Sequence, residues 1–123
     1  MMRGIRGAVC ADSDSREGVL DATRTVLTLM LEANEVEPEQ IASIFLTTTP
    51  DLTADYPALA ARTLGLTQVP LLCATEIAVP GAMPRVIRVL IHFETTKKQH
   101  EIRHIYHGEA ARLRPDLAEG AKP

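Results

Sequence analysis

The sequence predicts an α+β fold, close to α/β in character, in which one long helix packs on a mixed β-sheet. Residues 15–34 carry apolar side chains at helical spacing, and residues 86–91 form a nearly continuous apolar run with β-branched members. The predicted elements follow the order β-α-β-α-β-β-β. We expect residues 1–123 to form one domain, because a chain of 123 residues leaves no room for two.

The first half of the chain predicts two strands and the long helix. Residues 3–10 alternate between apolar and other side chains, which is typical of a strand. The helix follows residues 13–15, a Ser-Asp-Ser sequence of the kind that caps helix N-termini. Residues 41–49 are rich in β-branched side chains and predict the second strand, which Pro50 ends.

The second half predicts one short helix and three more strands. Pro57 begins the helix, which runs to residue 64 and is closed by Gly65. A helical turn is expected at residues 109–113, and the tail from about residue 118 is expected to be flexible. The strands are predicted at residues 69–74, 85–95 and 102–107.

Composition and charge exclude several classes of function. The net charge of −3 provides no general attraction to nucleic acid, and no apolar stretch is long enough to span a membrane. The N-terminus lacks the apolar core of a signal peptide, so we expect a cytoplasmic protein with reduced cysteines. The cysteines and histidines form no metal-ligand pattern, so neither a metal nor a cofactor is expected.

Arg88 is the most informative residue, because it interrupts the apolar run at residues 86–91. Such a run predicts a buried strand, and burying an unpaired guanidinium costs roughly several kcal/mol. We therefore expect an anionic partner, either a carboxylate of the protein or a ligand. Because side chains alternate along a strand, Arg88 is expected to point away from the helix with Val86, Leu90 and His92. The face toward the helix is expected to carry Ile87, Val89 and Ile91.

Other polar residues have ordinary explanations when each is taken alone. Solvent exposure explains four of them: Arg6, Arg62, Glu76 and Arg114. Packing in the core explains Cys73 and Tyr106. Alternation predicts that Tyr106 shares a strand face with His104 and Ile102, and helical spacing predicts that Arg62 points the same way as Ala58. Taken singly, these residues support only a pocket for an anion.

An ordered set of short strings is more specific than any single residue. From the N-terminus they are RGIRGA at 3–8, TPDL at 49–52, YPA at 56–58 followed by Arg62, VP at 69–70 followed by Cys73 and Glu76, IRV at 87–89, RHIY at 103–106 and LRPDL at 113–117. In this order and spacing the chain closely resembles the AroH class of monofunctional chorismate mutases. The resemblance extends from about residue 3 to residue 117.

The resemblance implies a homotrimer with a pseudo-α/β-barrel body and active sites between subunits. It implies an isomerase that converts chorismate to prephenate without a cofactor, on the route to phenylalanine and tyrosine. By matching motifs, the substrate's carboxylates and ether oxygen would contact Arg6, Arg88 and Tyr106, and its ring hydroxyl would contact Cys73 and Glu76. The pocket wall would comprise Tyr56, Ala58, Leu72 and Leu113, and secondary electrostatic contacts would come from Arg62 and Arg114.

Two other functions are compatible with parts of the sequence. A non-catalytic trimeric module that binds a small dicarboxylate needs the same arginines, but it does not need Cys73 and Glu76. RNA binding through C-terminal Arg and His residues is opposed by the net charge and by the scarcity of aromatic residues for stacking.

Overall fold

A five-stranded mixed sheet forms the centre of this computed structural model, which describes residues 1–117. The strands are β1 (Met2–Cys10), β2 (Ile41–Thr48), β3 (Leu71–Thr75), β4 (Val86–Glu94) and β5 (Ile105–Tyr106). Their spatial order is β3-β2-β4-β1-β5, with β4 antiparallel to both neighbours. β3 runs parallel to β2, and β5 runs parallel to β1. The expected α+β class and order of elements are confirmed.

The long helix α1 (Arg16–Ala33) covers one face of the sheet. Its N-cap is Ser15, whose hydroxyl accepts a hydrogen bond from the Gly18 N–H at 3.0 Å. The helix buries an apolar stripe that includes Val26, Leu27 and Met30 against the sheet. The same side of the sheet contributes Ile5, Ile44, Leu46, Ile87, Val89, Ile91 and Phe93. The alternation predicted for β4 is therefore confirmed.

The short helix α2 (Ala58–Thr63) lies beside α1 and follows Pro57, as the sequence predicts. Ala58 and Arg62 of this helix differ in exposure. Ala58 is buried in the core, whereas Arg62 is exposed. Helical spacing alone therefore does not give the two residues the same surroundings, because a long arginine side chain can reach solvent from a position where alanine is buried.

The opposite face of the sheet is only partly covered. A 3₁₀ segment (Gly108–Leu113) packs over one corner, where Ala8, Tyr106 and Ala110 form a small apolar cluster. Elsewhere on this face Phe45 is 41% exposed and Leu72 is 60% exposed. Apolar side chains that remain this accessible on a sheet face indicate a surface that another protein surface can cover.

The fifth strand is much shorter than the predicted segment at 102–107. The Asn34 side chain takes the place of a neighbouring strand, since its Oδ1 accepts from the Arg103 N–H at 2.7 Å and its Nδ2 donates to the Arg103 carbonyl at 2.8 Å. Ile102 therefore packs in the core with Ile105, and the predicted shared face with Tyr106 is wrong.

The remaining boundaries differ by a few residues. β3 begins at Leu71 rather than at residue 69, and Pro70 cannot donate a backbone hydrogen bond to a neighbouring strand. The tail predicted from about residue 118 lies outside the described residues. No helix among residues 1–117 combines the length and apolar character needed to cross a membrane.

Candidate active site

A cleft of about 530 Å³ opens on the partly covered face of the sheet. Side chains from four strands and from the C-terminal segment line it: Arg6, Phe45, Thr47, Arg88, Leu90, Tyr106, Leu113 and Arg114. Five of the predicted site residues are among them. The sheet register explains why these distant parts of the chain meet. Thr47 pairs with Arg88, Arg88 pairs with Ala8, and Ala8 pairs with Tyr106, so the four form one row across the sheet.

Arg88 is not buried as the apolar run suggested. Its side chain is 43% exposed, because β4 is covered by α1 on one face only. A protein carboxylate is its partner: Arg88 Nε donates to both Glu76 oxygens at 3.1 Å. Within residues 1–117, no hydrogen bond engages Nη1 or Nη2 of Arg88. The outer edge of the guanidinium therefore keeps its donors for an anion in the cleft.

Glu76 is held from two directions. Its backbone N–H donates to the Thr48 carbonyl at 2.9 Å, which ties the residue to the end of β2. Its Oε2 accepts a hydrogen bond from Thr47 Oγ1 at 2.6 Å. The carboxylate thus lies between Thr47 and Arg88, which are neighbours on adjacent strands.

Arg6 and Tyr106 lie on the other side of Arg88. Arg6 is exposed, and its backbone N–H donates to His104 Nδ1 at 2.9 Å. Burial lowers the pKa of His104, and the nearby charges of Arg6 and Arg114 lower it further. Tyr106 is buried against Ala8 and Ala110, while part of it lines the cleft. Ala8 lies between Arg88 and Tyr106 in the row and is fully buried.

The C-terminal segment adds a third cation to the cleft. Arg114 makes a two-pronged ion pair with Asp116, through Nε at 3.0 Å and Nη2 at 2.8 Å. This hydrogen bonding raises the pKa of Arg114 and lowers the pKa of Asp116. Three arginines therefore face a common space, while Glu76 contacts Arg88 from the neighbouring cavity, and such an arrangement suits a small ligand with more than one negative charge.

The other predicted site residues lie away from this cleft. Tyr56 is 70% exposed, and together with Cys73 it lines a separate groove of about 370 Å³. Cys73 packs toward the core on the helix side of the sheet, whereas Leu72 points from the opposite side. Glu76 lines a third cavity, of about 810 Å³, that borders Arg88. One chain by itself does not bring the whole predicted set together.

Sequence reasoning missed Thr47, Phe45 and the contact made by His104. Thr47 belongs to a run of three threonines, and nothing local distinguishes it from Thr48 or Thr49. Its role follows from its register opposite Arg88, a pairing across 41 positions of sequence that no local pattern contains. His104 was placed on the strand, but its bond to the Arg6 backbone depends on the parallel pairing of β1 and β5.

Comparison with known proteins identifies the family. The family model described as chorismate mutase type I matches residues 2–117. This chain belongs to the chorismate mutase type I family. The chorismate mutase AroH of Thermus thermophilus is 51% identical over 118 residues, which are 95% of this chain and 97% of that protein. The chorismate mutase AroH of Bacillus subtilis is 40% identical over 119 residues, 96% of this chain and 94% of that protein.

A solved structure agrees with this assignment. A chorismate mutase from Clostridium thermocellum matches with a TM-score of 0.89 and 39% identity, covering 90% of this chain and 99% of that one. The expected family and its fold are confirmed for this chorismate mutase family member. The alternative of a non-catalytic binding module gains no support from these relatives.

Proposed function

We propose that the chain converts chorismate to prephenate in the cleft around Arg88. The observation that carries the proposal is the state of Arg88: Glu76 holds its Nε, no described residue hydrogen-bonds its Nη1 or Nη2, and Arg88 lines the cleft together with Arg6 and Tyr106. Membership of the chorismate mutase family supports chorismate as the ligand of this anion pocket. The product leads toward phenylalanine and tyrosine.

The reaction suits an electrostatic site without a nucleophile. It is an intramolecular Claisen rearrangement in which the ether C–O bond breaks ahead of C–C bond formation, so negative charge grows on the ether oxygen. Arg88 is the group we assign to that oxygen, because a fixed cation stabilises the developing charge more in the transition state than in the substrate. The reaction needs no cofactor, since no electrons, protons or groups are exchanged with another molecule.

The remaining cleft residues hold the substrate folded. We assign its carboxylates to Arg6 and Tyr106, with support from Arg114 at the open end. Leu113 forms apolar wall there. Holding both reacting carbons in contact removes much of the entropic part of the barrier. We assign the ring hydroxyl to Glu76, which also orients Arg88.

We propose further that the protein is a cytoplasmic homotrimer whose sites are completed by a neighbouring subunit. The predicted site residues fall into two sets. One set surrounds Arg88, while the other lies elsewhere: Tyr56 and Cys73 line a separate groove, Arg62 and Leu72 are exposed, and Ala58 is buried in the core. The exposed Phe45 and Leu72 supply apolar surface for the contact. Each chain would contribute one domain.

The first test is conversion of chorismate by the purified protein in the presence of a chelator. Arg88→Ala should lower kcat by roughly 10²–10³-fold or more, because it removes the donors and the charge at the ether oxygen. Arg88→Lys keeps the charge but loses the rigid fork, and it should also be severely impaired. Absorbance of chorismate reports the rate, and circular dichroism checks the fold.

A matched control is available on α1. Arg24 is a surface arginine paired with Asp21 at 2.5 Å, remote in the fold from the cleft residues. Arg24→Ala and Arg24→Lys should both turn over chorismate at the wild-type rate. Near-normal kcat for the two Arg88 variants would refute the assigned mechanism, and an inactive wild-type protein would refute the proposed function itself.

A further inference from the structure

We propose that Thr47 is a positioning residue whose hydroxyl fixes the Glu76 carboxylate and, through it, the guanidinium of Arg88. This inference deepens the proposed function and rests on it. Thr47 donates to Glu76 Oε2 at 2.6 Å, and Arg88 Nε contacts both oxygens of the same carboxylate at 3.1 Å. The three side chains form one connected network, in which Thr47 and Arg88 line the cleft and Glu76 lies in the neighbouring cavity.

Thr47 is the member of this network that the backbone fixes most firmly. It lies in β2, paired with Arg88 on one side and with Ala74 on the other, so two ladders hold its Cα. Its β-branched side chain has few rotamers. Glu76 instead follows the end of β3 and has three side-chain torsions to restrain. The hydroxyl of Thr47 therefore supplies a fixed reference point for a flexible carboxylate.

The direction of the hydrogen bonds determines how the Thr47 hydroxyl affects catalysis. An ionised carboxylate only accepts, so Glu76 needs donors on both oxygens to adopt one orientation. Arg88 Nε bridges both oxygens, and Thr47 adds a donor to Oε2 alone. The carboxylate then cannot rotate without breaking a short bond, and the guanidinium of Arg88 keeps its orientation. Preorganised charge of this kind acts without reorganising during the reaction.

The test is Thr47→Val, which keeps the shape and removes the hydroxyl, compared with Thr47→Ser, which keeps the hydroxyl. We expect Thr47→Val to lower kcat about tenfold, near the lower end for a hydrogen bond to a charged group, with KM within about twofold of wild type. Thr47→Ser should keep most of the wild-type kcat. Thr25→Val is the matched control, since Thr25 is exposed on α1 and bonds only the Asp21 carbonyl there.

A double-mutant cycle separates positioning from direct substrate contact. Thr47→Val should cost little further in a Glu76→Ala background, because its target is already gone. Three results would each overturn the proposal: Thr47→Val lowers kcat equally in both backgrounds, it leaves kcat unchanged in the otherwise wild-type protein, or Thr47→Ser fails to retain activity. A loss of stability without a change in kcat per folded chain would overturn it as well.

A measurement without substrate keeps this proposal distinct from the proposed function. The Nε–H proton of Arg88 should shift in the NMR spectrum of Thr47→Val and exchange faster with solvent, while Thr47→Ser should resemble wild type. Identical Nε–H signals in all three proteins would overturn the network. If the signals change as expected but wild-type protein does not convert chorismate, the network stands and the assigned reaction fails.

Discussion

His104 is a neutral base beside Arg6, the arginine that we propose binds a substrate carboxylate. Its Nδ1 accepts the Arg6 N–H at 2.9 Å, so that nitrogen carries no proton in this arrangement. Protonation would turn Nδ1 into a donor, and its N–H would then face the N–H of Arg6 without an acceptor between them. The charges that face the ring are those of Arg6 and Arg114, with Asp116 paired to Arg114 nearby. His104 thus links proton uptake to the backbone that carries Arg6.

The free energy of unfolding should fall as pH is lowered through about 6.5, the ordinary histidine value. Burial, aided by Arg6 and Arg114, lowers the pKa of His104 in the folded protein. Between that lowered value and about 6.5 the unfolded chain binds more protons, so stability is lost on acidification. Urea denaturation from pH 8 to pH 5 measures the slope.

Two variants isolate the contribution of His104. His104→Asn keeps an acceptor oxygen near the Nδ1 position but does not titrate, so its slope should be shallower than that of wild type in this window. His104→Ala should also have the shallower slope but should be less stable at pH 8, because the Arg6 N–H loses its partner. Equal slopes for wild type and His104→Asn would contradict the assignment.

Some residues could be predicted from sequence and others could not. Arg88 stands out because a permanent cation interrupts an apolar run, and the RGIRGA string draws attention to Arg6. Thr47 and His104 have no local signal, since their contacts arise from pairings between strands far apart in the chain. Glu76 was expected to contact substrate, but its contact with Arg88 required the loop after β3 to fold back toward β4.

At the level of elements, β1 has one glycine on each face, and the two are not equivalent. A Cβ on Gly7 would lie 2.3 Å from Met30 Sδ, inside the contact between β1 and α1. A Cβ on Gly4 would meet Leu90 Cδ1 at 3.5 Å, an ordinary van der Waals distance. Gly7 thus lets the helix pack closely beneath the strand that carries Arg6.

Gly7→Ala should lower the free energy of unfolding by about 1–3 kcal/mol, as overpacking in a filled core does. Gly4→Ala is the matched control and should leave stability unchanged or slightly higher. Urea denaturation at neutral pH compares the two proteins. Adding Met30→Ala to Gly7→Ala should relieve the clash, and equal losses for both glycine variants would refute this explanation.

Strongly periodic elements were predicted closely, and the irregular ones were not. The helix predicted at residues 15–34 differs from α1 by one residue at each end, because its cap and apolar stripe are local signals. The fifth strand was predicted at six residues and has two, since the Asn34 side chain supplies the hydrogen bonds of Arg103. The sequence of residues 102–107 gives no sign that a distant side chain takes the place of a neighbouring strand.

For the whole molecule, the proposed trimer makes a quantitative prediction about mixed chains. Arg88→Ala damages one wall of the site, and Arg62→Glu would place a carboxylate in the opposite wall, so each variant alone should be nearly inactive. Refolded together in equal amounts, they should recover about one quarter of the wild-type sites, because a site needs an intact Arg88 from one chain and an intact Arg62 from the next. The chorismate assay measures the recovery.

The control for this mixing experiment is a mixture of Arg88→Ala with Arg88→Lys, which repairs no site. Sedimentation should give the mass of three 13.4 kDa chains for every sample. Activity of the mixture no higher than the mean of its two components would contradict a site shared between subunits. A monomer at micromolar concentration would contradict the assembly itself.

The place of β4 in the sheet also sets the order in which the fold can be completed. β1 and β2 are made first, yet both flank β4, which ends at Glu94. During synthesis the first strand therefore waits for most of the chain before it acquires its long antiparallel neighbour, and its parallel neighbour β5 comes later still. β2 can pair with β3 earlier, but nascent chains must carry β1 without a neighbouring strand until β4 is made, so the sheet closes late.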